Sequence, residues 1–314
     1  MKHIFLGHSG LQIGHIGMGT LTWGRDTESS DAHRMVANLL DHGGNAIDIS
    51  AVYGDGLALT VLGSVLDGAV DRSELCIIGH VGTFFRTDSG AVRCNTGRGA
   101  LMASVEQMLE QLNTSYLDVV SVAGIDHHTR FEETIESLIA IVSAGKARYI
   151  SLSNFPAWQV ARYAQYFTDH HAPILAGIGT EFSVLDRHAD RDLTDVCEEF
   201  GLGICAYSPL AGGVLTGKYR HTIPPTSRAA TEHLRSSVER HLEDKPRRTV
   251  EAIAKAADGL GRTPADIALA WLLSRPQVAC AFVGARTHAQ FDQILELDIC
   301  ELPEPVHRAI SDIS

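Results

Sequence analysis

Eight short runs of β-branched and aliphatic residues recur along the chain, at 14–18, 45–49, 75–78, 117–122, 148–152, 174–178, 203–206 and 280–283. Longer stretches with apolar positions three and four residues apart lie between them. Leu101, Val105, Met108, Leu109 and Leu112, for example, fall on one helical stripe. Thr263-Pro264, followed by Ile267, Leu269, Trp271, Leu272 and Leu273, combines a capping hydroxyl, a proline at the first helical position and a buried face. Strand followed by helix, eight times over, predicts a (β/α)8 TIM barrel rather than an open sheet. The opening segment 4–13, with Gly7 and Gly10 near its middle, reads as a hairpin that covers the bottom of the barrel. No internal repeat is visible, and the segment 219–245, rich in Arg, Ser, Thr and Pro, is expected to be mobile.

A barrel also predicts where chemistry gathers, because the βα loops radiate from the C-terminal ends of the strands. Asp48, His80, Ala123, Ser153, Asn154, Gly179, Tyr207 and Gly284 all stand at or just after the ends of successive runs, so they are expected to share one mouth.

Composition narrows the class of partner. The 314 residues, 45% hydrophobic, suffice for a large core and are expected to form one domain spanning 1–314. No apolar run approaches the ~18 residues of a membrane span, and the N-terminus lacks the apolar stretch of a signal peptide, which leads to the expectation of a cytoplasmic protein without membrane partners. A net charge of −12 disfavours nucleic acid while leaving room for a local basic pocket around one phosphorylated cofactor. Cys76, Cys94, Cys197, Cys205, Cys280 and Cys300 form no CxxC pair and read as reduced core residues, with no metal expected.

Three stretches go further: Asp48-Ile-Ser-Ala-Val-Tyr53-Gly54, Gly145-Lys-Ala-Arg-Tyr-Ile-Ser-Leu-Ser153-Asn154 and Tyr207-Ser-Pro-Leu-Ala-Gly-Gly-Val-Leu-Thr-Gly-Lys218-Tyr219. In order and spacing the chain resembles an aldo-keto reductase from end to end. The resemblance implies NADP(H) lying extended across the barrel mouth, held without a GxGxxG turn, and no such turn follows the first strand here. It implies Gly19, Thr20, Ser153 and Asn154 on the cofactor, Tyr207 stacked on the nicotinamide, and Ser208, Leu210 and Gly213 in the loop over the pyrophosphate. Lys218 and Arg228 become phosphate partners. Gly284, Arg286, Thr287 and Gln290 become the segment at the adenosine 2′-phosphate, since a guanidinium fork and a hydroxyl suit a dianion. A solvated surface arginine is the competing reading of Arg286. Two departures stand out: Gly179 replaces the glutamine that bonds the carboxamide, and Ile294 the asparagine that bonds adenine. At roughly 0.5–1.5 kcal/mol per lost hydrogen bond, binding about ten- to a hundredfold weaker is expected.

The same resemblance implies Tyr53 as proton donor and Asp48 as the carboxylate paired to a lysine that lowers the tyrosine from its ordinary value of about 10. The lysine position reads His80 and the histidine that orients the carbonyl reads Ala123. As an imidazolium His80 can still assist Tyr53; the competing reading is a polar strand-end residue bonded to Asp48. His127 and His128 follow Ala123, and a folded-back loop would be needed to return either. Ala123 enlarges the pocket, whose walls are expected to include Trp23, Phe84 and Phe85, with core packing as the alternative. Three classes stay open: an NADP(H)-dependent reductase of a carbonyl or imine small molecule with an altered site; a redox-neutral acid–base enzyme (dehydratase, isomerase or epimerase) built on Asp48, Tyr53 and His80; and a catalytically weak NADP-binding regulator. Substrate identity and oligomeric state are not readable from the chain.

Overall fold

A computed structural model describes residues 1–68, 70–85, 91–171 and 173–314. The chain opens with an antiparallel hairpin, β1 (His3–Phe5) and β2 (Gln12–Gly14). The barrel follows: β3 (Ile16–Gly19), helix α1 (Ser29–Asp41), β4 (Ala46–Ser50), α2 (Ala58–Leu66) and β5 (Cys76–Val81). A short flap, β6 (Thr83–Phe85) against β7 (Val92–Cys94), precedes α3 (Arg98–Gln111). Then come β8 (Leu117–Val122), α4 (Phe131–Ser143), β9 (Ala147–Ser153), α5 (Ala157–Asp169), β10 (Leu175–Glu181), α6 (Leu193–Phe200) and β11 (Gly203–Tyr207). Three helices, α7 (Glu232–Glu239), α8 (Asp244–Leu260) and α9 (Pro264–Leu273), lead to β12 (Val278–Val283), followed by α10 (His288–Leu295) and α11 (Glu304–Ile313). Strands β3, β4, β5, β8, β9, β10, β11 and β12 close into one barrel in which all neighbours pair in parallel.

Each of the eight predicted runs is a barrel strand, and the structure mostly lengthens them toward the mouth. The reason is pairing: Gly79 and His80 interrupt an apolar run in sequence, yet both are in register with Val120 and Ser121 of β8. Asp48, His80, Ser153, Gly179 and Tyr207 therefore lie inside strands rather than after them, on the predicted face.

Strand alternation divides the core. Ile47, Ile49, Ile77 and Val81 join the large cluster between sheet and helices. Ala46, Cys76, Ile78, Val119, Ala176, Cys205, Cys280 and Phe282 form a second cluster with Leu6 and Ile13 of the hairpin, which closes the lower end as expected. Following the second set upward, Ala46 gives way to Asp48 and Ser50, and Cys76 and Ile78 to His80. The interior thus changes from apolar at the base to polar at the mouth.

The segment 219–245 carries more structure than its composition predicts. Leu234 and Val238 of α7 are buried. His233 bonds Asp26 at 2.9 Å, and Arg240 pairs with Glu181 and, at 3.6 Å, with Asp186. Of the six cysteines, all free, Cys300 is exposed and Cys94 only half-buried, so the core reading holds for the other four. No helix among the described residues is long and apolar enough to cross a membrane.

Candidate active site

The mouth holds a cavity of about 330 Å³ lined by eleven of the expected residues: Gly19, Asp48, Tyr53, His80, Ala123, Ser153, Asn154, Tyr207, Ser208, Arg228 and Gly284. A second concavity, of about 420 Å³, shares Ser208, Arg228 and Gly284 with it and adds Leu210, Gly213, Lys218, Arg286 and Gln290. The two form one cleft running from the barrel centre to its rim. A larger hollow of about 570 Å³ lies against α8 and contains none of the expected residues.

At the inner end His80 Nε2 pairs with Asp48 Oδ1. The Tyr53 ring stands 6.3 Å from the imidazole, centroid to centroid. Burial, with the Asp48 carboxylate nearby, pushes the Tyr53 phenol well above its usual value. That is opposite to the lowering expected of a proton-donating tyrosine, because no lysine ammonium stands between Asp48 and Tyr53 and the imidazole in its place bonds the carboxylate itself.

The neighbouring polar groups are tightly wired. Thr20 is fully buried and donates its hydroxyl proton to the Asp48 carbonyl at 2.7 Å, so it supports the β4 end instead of lining the cleft. Asn154, at a φ of +62°, donates Nδ2–H to the Ala123 carbonyl at 3.2 Å and accepts the Tyr207 hydroxyl at 2.7 Å. Burial, with Glu181 and Asp186 adding to it, pushes Tyr207 up to about 12. A side chain at Gly179 would begin 2.8 Å from Ser153 Oγ, so Ser153 occupies the room a glutamine would need.

The outer concavity gathers positive charge. Lys218, Arg228 and Arg286 line it, and none of the three forms an ion pair among the described residues. Partial burial, with the charges of Arg228 and Arg286 beside it, brings the Lys218 ammonium down to about 8. Burial and Arg286 also lower Arg228. Arg286 is steered by a 3.1 Å bond from Nη1 to Thr231 Oγ1, and its backbone N–H donates to Gln290 Oε1 at 3.1 Å. A Cβ at Gly213 would stand 2.5 Å from Lys218 Nζ and one at Gly284 2.9 Å from Arg228 Nη2, so glycine lets the cations reach the loop.

Thr287 caps α10, its hydroxyl accepting the Gln290 N–H at 3.4 Å while its own proton stays free among the described residues, and it is exposed just beyond the cleft lining. Three expected wall residues are corrected. Trp23 is fully buried in the core, not on the pocket wall. Phe84 and Phe85 belong to the β6–β7 flap and do not line the cavity; Thr83, one residue earlier, does. His127 and His128 sit on an exposed loop and return to no part of the cavity. Sequence reasoning missed Leu21, Ser50, Val52, Thr83 and Phe282 in the cavity and Gln293 in the groove, where Ile294 does appear. Ser50 and Val52 lie inside the Asp48–Gly54 stretch, where strand phase could have singled out Ser50, two residues after Asp48; Leu21, Thr83, Phe282 and Gln293 lie in none of the quoted motifs.

The sequence model of the aldo/keto reductase family matches residues 15–314. An uncharacterized oxidoreductase, YrpG, of Bacillus subtilis (strain 168) is 28% identical over 100% of this chain and 96% of its own length. A probable voltage-gated potassium channel subunit beta of Arabidopsis thaliana is 29% identical over 98% of this chain and 94% of its own. The L-glyceraldehyde 3-phosphate reductase of Escherichia coli (strain K12) is 27% identical over 93% and 86%. With the barrel, the cleft and a family match over nearly its whole length, the chain belongs to the aldo/keto reductase family.

Proposed function

We propose that the protein is an NADP(H)-dependent oxidoreductase acting on the carbonyl or imine of a small molecule, with an atypical site in which His80 and Ala123 stand at the lysine and histidine positions of its relatives. The observation that carries this reading is the convergence of Lys218, Arg228 and Arg286, without carboxylate partners among the described residues, in a groove continuous with Asp48, Tyr53 and His80. Three cations without carboxylate partners among the described residues, close enough that Arg286 adds to the lowering of both Lys218 and Arg228 by burial, fit a polyphosphate better than any neutral ligand. Lys218, Arg228 and the 208–213 loop would hold the pyrophosphate, Arg286 the 2′-phosphate, and Ser153, Asn154 and Tyr207 the nicotinamide end.

When bound, the nicotinamide supplies or accepts hydride. The chain's own task is then the proton and the pose. Tyr53 would present its O–H to the substrate oxygen, and the His80–Asp48 pair would balance the charge left behind. With Ala123 beside them, substrate orientation falls to the remaining walls. Six free cysteines fit a reducing compartment, the cytoplasm. A redox-neutral acid–base reaction is the second reading, favoured by the raised Tyr53 and by an Asp48–His80 pair able to shuttle a proton without cofactor.

Two measurements test the cofactor assignment. Arg286→Ala is expected to weaken NADPH about ten- to a hundredfold in fluorescence titration while NADH changes little, since only the former has the 2′-phosphate. Equal losses would refute it. Near pH 8 about half of Lys218 is neutral in the free protein, and a bound phosphate favours its ammonium. NADPH binding should therefore take up protons there, and affinity should fall as pH rises above about 8. Identical calorimetric heats in buffers of different ionisation enthalpy would count against Lys218 as a phosphate partner.

A further inference from the structure

Most polar groups of the inner cavity are already engaged. Asn154 uses both ends of its side chain, and Asp48 is paired with His80. With the Ser153 and Ser208 hydroxyls assigned to the cofactor, two hydroxyls of the lining remain for a substrate: Ser50 at the end of β4 and Thr83 at the start of β6. Both line the cavity, and their oxygens are 3.5 Å apart, the outer limit of a hydrogen bond. The Ser50 oxygen accepts a long bond from the Val52 N–H at 3.4 Å, so its own proton has no strong acceptor among the described residues. Leu21, Val52 and Phe282 complete the lining with apolar surface.

Charge narrows the ligand further. Among the described residues of this cavity Arg228 is the one arginine or lysine, and its Nη2 is turned onto the Gly284 carbonyl, where cavity and groove join. Among the described residues, a phosphate or carboxylate on the substrate would meet Asp48 with no cation besides Arg228 at the cofactor end, and desolvating an unpaired anion is costly. Neutral hydroxyls can exchange bonds with Ser50 and Thr83, while the C–H faces of a sugar match the apolar part of the wall.

We infer that the substrate is an uncharged polyhydroxylated carbonyl compound or its alcohol, a sugar or sugar-like polyol without phosphate, and that Ser50 and Thr83 select it by bonding its hydroxyls. This rests on the oxidoreductase reading above. It also separates the chain from the relative named for a phosphorylated triose.

The test compares glyceraldehyde with its 3-phosphate, and benzaldehyde as an apolar control, in the wild type and in Ser50→Ala and Thr83→Val, all with NADPH. In parallel, sorbitol and sorbitol 6-phosphate are titrated calorimetrically into the nucleotide-loaded protein. The neutral member of each pair is expected to win. Each substitution should raise KM for glyceraldehyde and Kd for sorbitol about three- to tenfold, the worth of one hydrogen bond, with kcat and the benzaldehyde kinetics little changed. Thermal unfolding of both variants checks that the barrel is intact. Preference for the phosphate esters, or equal effects on glyceraldehyde and benzaldehyde, overturns the proposal and leaves the oxidoreductase reading standing. Absence of turnover on every aldehyde overturns that reading instead, and the sorbitol titrations then decide the substrate class alone.

Discussion

Gly54→Ala should cost at least about 3 kcal/mol of stability and abolish activity, although the substitution adds a single methyl group. Gly54 follows Tyr53 and sits in the left-handed region, at φ +56°. A Cβ built there stands 1.8 Å from the Trp23 carbonyl oxygen, an overlap that side-chain rotation cannot relieve because both atoms are anchored to backbone. The carbonyl has nowhere to go. Trp23 is fully buried, and the Thr22 carbonyl accepts the N–H groups of Arg25, Asp26 and Thr27, which knots the loop around it. Gly54 N–H in turn donates to the Leu21 carbonyl at 2.9 Å. Relief must come from moving the Tyr53–Gly56 turn, which carries the Tyr53 hydroxyl away from Asp48. Thermal unfolding should fall by about 5 °C or more, together with loss of turnover. A variant melting within about 1 °C of the wild type with normal activity would show that the loop yields and that Tyr53 is not held by it.

The contrast between what the sequence announced and what it hid has a physical pattern. Barrel strands were legible because they are buried on both faces and read as apolar runs. Their upper ends were not, because there the inward positions turn polar: β10 continues through Gly179, Thr180 and Glu181 on pairing with Cys205, Ala206 and Tyr207 rather than on hydropathy. Motif-borne residues such as Asp48, Tyr53, Asn154 and Tyr207 were placed in one mouth, since a barrel fixes where strand ends meet. Trp23, Phe84 and Phe85 were misplaced because an aromatic residue on a loop carries no sign of which side it packs. Thr20 has the right chemistry but spends its hydroxyl proton locally, on the Asp48 carbonyl. Thr83 was invisible for the converse reason, since an isolated hydroxyl signals nothing until its missing partner is seen, and Ser50 was marked only by its strand phase with Asp48. The ties of the 219–245 segment, His233 to Asp26 and Arg240 to Glu181, join residues 207 and 59 positions apart in sequence, which only the closed barrel brings together.

Introducing the lysine and histidine that the aldo-keto reductase resemblance implies, by His80→Lys together with Ala123→His, should raise NADPH-dependent reduction of simple aldehydes and ketones about a hundredfold, the usual contribution of a well-placed acid. The argument follows from what surrounds Tyr53. Burial and Asp48 both hold its proton on, so the phenol is a reluctant donor as the chain stands. An ammonium between Asp48 and Tyr53 would oppose both effects, since a nearby positive charge favours the phenolate left after proton transfer. Room exists for the second change: Ala123 lines the cavity, and the bonds it makes, to Val81 and Asn154, use only its backbone. An imidazole there would point a donor at the substrate oxygen without breaking either. The expected signature is a lower Tyr53 pKa by ultraviolet titration in the His80→Lys single variant, and gain of turnover in the double variant with NADPH affinity unchanged. Should the double variant bind NADPH and remain inactive on a broad carbonyl panel, while the wild-type protein converts a substrate with no cofactor present, the oxidoreductase reading is wrong. The Asp48–His80 pair would then be the machinery itself, and Ala123 the space its substrate requires.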